Sequence, residues 1–172
     1  MSRIVSVATG WSPRLRRTVL VVLAVLAIAA MSAAVVAVRA DSAADARATS
    51  AQDGREFAVN VVPSLLSYDY DTAEAHFADV ANQLGGDFRG QFEEVGRTVI
   101  VPSALERKVV TSAEVIESSV VNAGADDAEL LLFLNQSTTS ADAPETKLDG
   151  SRVKVRVERV DGTWLITELT PV

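Results

Sequence analysis

The longest unbroken pattern in the chain is residues 18–38, TVLVVLAVLAIAAMSAAVVAV, a run without charge in which only Thr18 and Ser32 carry polar side chains. At about 1.5 Å rise per residue a helix of this length spans roughly 30 Å, the hydrocarbon thickness of a bilayer. The run predicts a transmembrane helix. A buried core helix would rarely stay uncharged for so long, and the apolar part of a cleaved signal peptide is shorter, about 7–15 residues. The N-terminal flank holds Arg3, Arg14, Arg16 and Arg17 and no acid, whereas the other flank opens with Arg39, Asp41, Asp45 and Arg47. Positive charge marks the inner side. The expected order is a cytoplasmic tail at 1–17, the span at 18–38, a stalk at 39–54 and an exported domain at 55–172, on a single-pass protein of the cytoplasmic membrane.

Beyond the span, residues 41–52 are small, polar and alanine-rich without an apolar stripe, which suits a helical or loosely ordered stalk. Phe57, Val61, Val62, Leu65 and Leu66 then recur at helical spacing, with Pro63 expected to kink the helix or begin a new one. Asp71 or Thr72 is placed to cap a second helix whose apolar positions are Ala73, Phe77, Val80 and Leu84, and Gly85-Gly86 stops it. Phe88, Phe92 and Val95 predict a short third helix over 87–97.

After Pro102 the pattern changes to strands. Residues 107–121 and 129–136 are rich in β-branched and aliphatic side chains, and the run Leu130 to Leu134 suits the buried centre of a sheet. Residues 152–160 alternate, with Val153, Val155 and Val157 on one face and Lys154, Arg156 and Glu158 on the other, which predicts a strand wet on one side. Asp161-Gly162 is a type I′ turn signal leading into a return strand over 163–169. Residues 137–151, rich in Ser, Thr and Asp, read as an exposed loop. The predicted class is α+β: a transmembrane helix and stalk, then a cone-shaped domain of about three helices on a curved antiparallel sheet of about four strands.

Charge and composition narrow the function. All 23 acidic residues and 12 of the 16 Lys and Arg lie beyond residue 38, so that part carries a net charge of −11. This argues against nucleic acid and against an anionic lipid surface, both of which require clustered cations. The absence of cysteine excludes disulfides and thiolate chemistry. His76 is the only histidine, and it reads as a partly exposed helix residue in preference to an acid–base group. Asp69/Asp71 and Asp126/Asp127 alone do not make a metal site. No nucleophile elbow, Walker loop or dinucleotide fingerprint occurs, so neither a catalytic residue nor a cofactor is expected. Tyr68 and Tyr70 pack a helix corner or meet a partner, and Trp164 sits beside the predicted hairpin.

Four segments carry a resemblance: Leu65-Leu66-Ser67-Tyr68-Asp69-Tyr70, Gly86-Asp87-Phe88-Arg89, Leu134-Asn135-Gln136-Ser137-Thr138-Thr139 and Arg159-Val160-Asp161-Gly162-Thr163-Trp164-Leu165-Ile166. With the preceding span, and in matching order over residues 18–172, they resemble the Mce-associated membrane proteins, single-span companions of mammalian-cell-entry lipid importers. Leu169-Thr170-Pro171-Val172 departs from that pattern in offering no C-terminal extension to a partner. The resemblance implies an exported domain similar to the SnoaL-like and nuclear transport factor 2-like cone, and to the periplasmic domain of a type IV secretion scaffold protein. It also implies a non-enzymatic accessory subunit, with Mce proteins and their permease as partners. Candidate contacts are Tyr68, Asp69, Tyr70, Asn135 and Gln136, and self-association is a further expectation. The alternative is a binding module for a lipid or small apolar molecule in a cavity lined by Phe77, Phe88, Phe133 and Trp164. An isomerase or dehydratase, which the same fold can host, would have to use His76, Asp69 and Tyr68 or Tyr70.

Overall fold

The computed structural model describes the backbone of residues 13–172 and the side chains of residues 31, 32, 39 and 41–172. Helix α1 runs Pro13–Leu66. Among the described residues no helix is long and apolar enough to cross a membrane; the tail at 1–17 and the run at 18–38 lie outside them, apart from Met31 and Ser32 and the backbone of α1. Two compact units divide between Ala43 and Ala44, and the fold described below is that of the second, Ala44–Val172.

Within it, α2 (Ala73–Val80), α3 (Gly86–Val95) and α4 (Val101–Arg107) precede most of a five-stranded antiparallel sheet. The strands are β1 (Tyr68–Asp69), β2 (Val110–Ala123), β3 (Asp127–Thr139), β4 (Lys147–Val160) and β5 (Thr163–Pro171), hydrogen-bonded in the order of the chain. The α+β reading, with helices on one face of an antiparallel sheet, holds.

Period 3.6 on α1 meets period 2 on the strands. Ser50, Gly54, Ala58, Val61, Val62 and Leu65 form the inward stripe of α1, and the last four share one core with Leu130, Leu132 and Leu134 of β3 and Val153, Val155 and Val157 of β4. The closest approach is at Gly54, where an added Cβ would lie 3.0 Å from Val157 Cγ2 and 3.1 Å from the Ala128 methyl. The segment read as stalk therefore contributes Ser50, whose hydroxyl donates to the Ala125 carbonyl, to the compact unit. Ala73, Phe77, Val80 and Leu84 are all buried, as their spacing predicts.

Four expectations are corrected. Pro63 lies inside α1 and does not begin a new helix, the bond it forgoes being the one to the turn before it. Strand does not begin after Pro102: Gly96–Ile100 forms a π-helical turn and α4 follows with Pro102 in its first turn, where proline is compatible with helix. Val95 is exposed instead of lining the core, since α3 turns only Phe88 and Phe92 toward it. Residues 137–151 are mostly strand, β3 and β4 pairing out to Thr138 and Lys147. The short connection is held to α4 by the Ala141 N–H on the Arg107 carbonyl (2.7 Å) and by the Arg107–Asp142 ion pair (2.7 Å). The Asp161-Gly162 turn is as predicted, with φ of +50° and +81° at its two central residues.

Candidate functional site

The polar residues singled out in the sequence converge on the C-terminal end of α1, where the last carbonyls of a helix have no partner within it. Ser67 Oγ donates to the Pro63 carbonyl (2.7 Å) and accepts from the Ala113 N–H (2.8 Å), tying α1 to β2. His76 Nε2 donates to the Ser64 carbonyl (2.7 Å), so this nitrogen carries a proton. Gln136 Nε2 donates to the Leu66 carbonyl (3.4 Å) and to Thr111 Oγ1 (3.0 Å), and Thr111 Oγ1 lies 3.1 Å from Thr138 Oγ1. One side chain from α2 and one from β3 thus close a helix on the element between them.

Ser67→Ala is expected to lower stability by about 1–3 kcal/mol, because it strands a carbonyl and an N–H at once. A denaturant midpoint equal to that of the parent chain would refute the bridge.

Tyr68 continues from this junction onto β1, opposite Thr111, its ring centroid 5.6 Å from that of Phe77. Burial raises the Tyr68 phenol above the ordinary tyrosine range, and the Arg107 guanidinium partly offsets this. The Tyr70 N–H donates to the Val109 carbonyl (3.1 Å), and the Asp69 carboxylate accepts from the Asp71 N–H (3.3 Å). A hydrogen bond with Asp69, reinforced by that neighbour's charge, holds the Asp71 carboxyl above the usual carboxylate range. Asn135 is not part of this junction. It pairs with Glu114 and Gly150 on the opposite face of the sheet.

The four aromatic residues expected to line one cavity fall in three places. Phe77 is a hub on the helix side: its ring stacks on Phe92 at 5.1 Å, and Phe92 lies 6.3 Å from Phe88. Gly96 packs directly on Phe77, so that a Cβ there would come within 2.9 Å of Cδ1. Beside this cluster lies a groove of about 640 Å³ floored by Phe77, Ala78 and Val101, with the Arg89–Glu93 and Arg97–Glu94 ion pairs on its rim. Trp164 borders a separate depression of about 570 Å³ with Asp53 and Phe57. The Arg159 guanidinium sits 4.6 Å above the Trp164 ring and bonds Asp53 at 2.9 Å. Phe133 lies on the outer face of the sheet in a third depression of about 430 Å³.

Strand parity carried the signal for Phe133, which alternates with Leu132 and Leu134. The Arg159–Trp164 pair was likewise legible as a cross-strand pair two residues outside the type I′ turn. Nothing in the sequence signalled the groove beside Phe77, which joins residues from α2, α3 and the π-helical turn. Among the described residues no three metal-ligating side chains come together.

No family profile matches the chain. An uncharacterized Mycobacterium tuberculosis protein, Rv1362c, is 37% identical over 130 residues, 76% of this chain and 56% of that protein, so the chain spans little more than half the length of this relative. Among solved structures, an IcmL-like type IV secretion system protein from Legionella pneumophila superposes with a TM-score of 0.59 at 9% identity, covering 70% of this chain and 92% of that one. At that identity the likeness is one of fold. A second Mycobacterium tuberculosis protein, the outer membrane protein Rv1973, is 33% identical over 131 residues, 76% of this chain and 78% of its own length. On that match the chain belongs to the family of the outer membrane protein Rv1973.

Proposed function

We propose that this chain is a single-span, non-enzymatic accessory subunit of an Mce-type lipid or sterol importer, with residues 1–17 cytoplasmic, residues 18–38 in the membrane and its compact unit outside the cytoplasmic membrane. In this reading it stabilises Mce proteins and their permease by protein–protein contact, through the corner formed by Tyr68, Asp69, Tyr70 and Gln136. The observation that supports it is the structural use of two of the candidate acid–base residues: His76 donates to the Ser64 carbonyl at the end of α1, and the Tyr68 ring packs against Phe77. The uncharged run with arginines on one flank supports the anchor. The name of the relative and the secretion-protein fold agree with an envelope location.

Deleting the gene should lower the membrane abundance of the Mce proteins and the uptake of labelled lipid together, measured by quantitative mass spectrometry and by accumulation of label. If both stay at the parental level, the accessory role is wrong. A second reading, the binding of an apolar molecule, draws on the groove beside Phe77. It predicts saturable binding of an apolar fluorescent probe by the purified chain.

A further inference from the structure

The outer face of the sheet, turned away from the helices, carries one register row with an unusual sequence of charges. Glu117 of β2 pairs with Phe133 of β3, and Phe133 pairs with Arg152 of β4, so an acid, an exposed aromatic ring and a base lie side by side across three strands. A β-bulge between Val115 and Glu117 adds Ile116 to the row as an extra residue on this face. Ile116 is 55% exposed and Phe133 39%. The next row on the same face is Ser119, Leu131 and Lys154.

The charges at the two ends of the first row lack ionic partners among the described residues. Elsewhere on this face Lys154 bonds Glu129 at 2.9 Å and Arg156 lies 3.9 Å from Glu158. The Glu117 carboxylate accepts only the N–H of its own neighbour, Ser118 (3.1 Å). An aromatic ring between an unpaired acid and an unpaired base is self-complementary. A two-fold axis lying along β3 carries the β2 side of one copy onto the β4 side of another. It places Glu117 of each copy on Arg152 of the other and brings Phe133 onto its own equivalent. The same operation sets Lys154 against Ser119 and Arg156 against Asn122, while on the axis the acids Glu129 and Asp127 each face their own equivalents. Glu129, next along the axis, is already neutralised by Lys154.

We propose that this face is a homodimer interface, an isologous sheet-on-sheet contact about a two-fold axis along β3, in which two Glu117–Arg152 pairs flank a centre made by Phe133 and Ile116 of both copies. Sheets packed face to face at about 10 Å interdigitate side chains of this size, and a two-fold contact uses the same patch on both partners. This inference does not depend on the importer reading.

Because the chain contains no cysteine, a single introduced thiol reports unambiguously. Full-length Phe133→Cys in native membranes under a mild oxidant should shift most of the chain to a disulfide-linked species of twice 18.2 kDa. Leu105→Cys, at a more exposed position (54%) on α4, should stay monomeric. Adding Arg152→Glu to Phe133→Cys should cut the cross-linked fraction roughly tenfold, since like charges then face each other. Glu117→Arg in the same chain should restore it. A Phe133→Cys chain that stays monomeric, or that links only to a different protein, overturns the proposal. So does a charge reversal that the compensating reversal fails to rescue.

Discussion

Replacing Phe77 by Ala is expected to lower the unfolding free energy by about 3–5 kcal/mol, the cost of deleting a fully packed aromatic side chain. The magnitude follows from its surroundings. Phe77 is only 6% exposed, contacts the rings of Tyr68, His76 and Phe92, and carries the backbone of Gly96 directly on its edge. Loss of the ring should therefore loosen residues 92–100 first, seen as faster amide exchange there than in β3 or β4. Phe88→Ala, at a half-buried position, should cost clearly less. A loss below about 1 kcal/mol for Phe77→Ala would mean that the ring lines an open groove in solution and that the ligand-binding reading deserves precedence.

Leu132→Ala should cost about 2–5 kcal/mol by leaving a void at the centre of the sheet. Leu132 has zero exposure, sits on the central strand between Ser118 and Val153, and packs beneath α1. Val153 beside it and Leu130 and Leu134 on the same face are themselves buried, so relaxation into the void is limited. Leu148→Ala, at 75% exposure on β4, should leave the midpoint of a denaturant titration unchanged. If the two substitutions cost the same, the helix-facing side of β3 has been assigned to the wrong parity.

Local periodicity made much of this fold readable in advance. The stripe on α1, the buried face of α2, the alternation of β4 and the Asp161-Gly162 turn each depend on residues a few positions apart, and each was legible for that reason. The uncharged 18–38 run is likewise a pattern of hydropathy alone, visible before any contact is known. Where the reading failed, the deciding interaction was distant in sequence. The Ser137 to Ser151 segment is polar and looks like a loop, but it has the register of β3 and β4 to extend, and Arg107 of α4 to dock on. Pro102 resembles a break, yet it falls in the first turn of α4, where a missing N–H is tolerated.

The polar residues follow the same division. Their presence near a helix end was visible, whereas their use was not: His76 and Gln136 reach α1 from elements twelve and seventy residues away in sequence, and only the packed structure brings their donors to its carbonyls. The sequence by itself determined the α+β class, most of the helix-facing residues and the uncharged pattern of 18–38, because these rest on short-range spacing and composition. Tertiary structure alone decided that Phe77 borders a groove made by α2, α3 and the π-helical turn, and that Glu117, Phe133 and Arg152 stand in one row. Strand register and bulges, which long-range pairing sets, determine which side chains become neighbours.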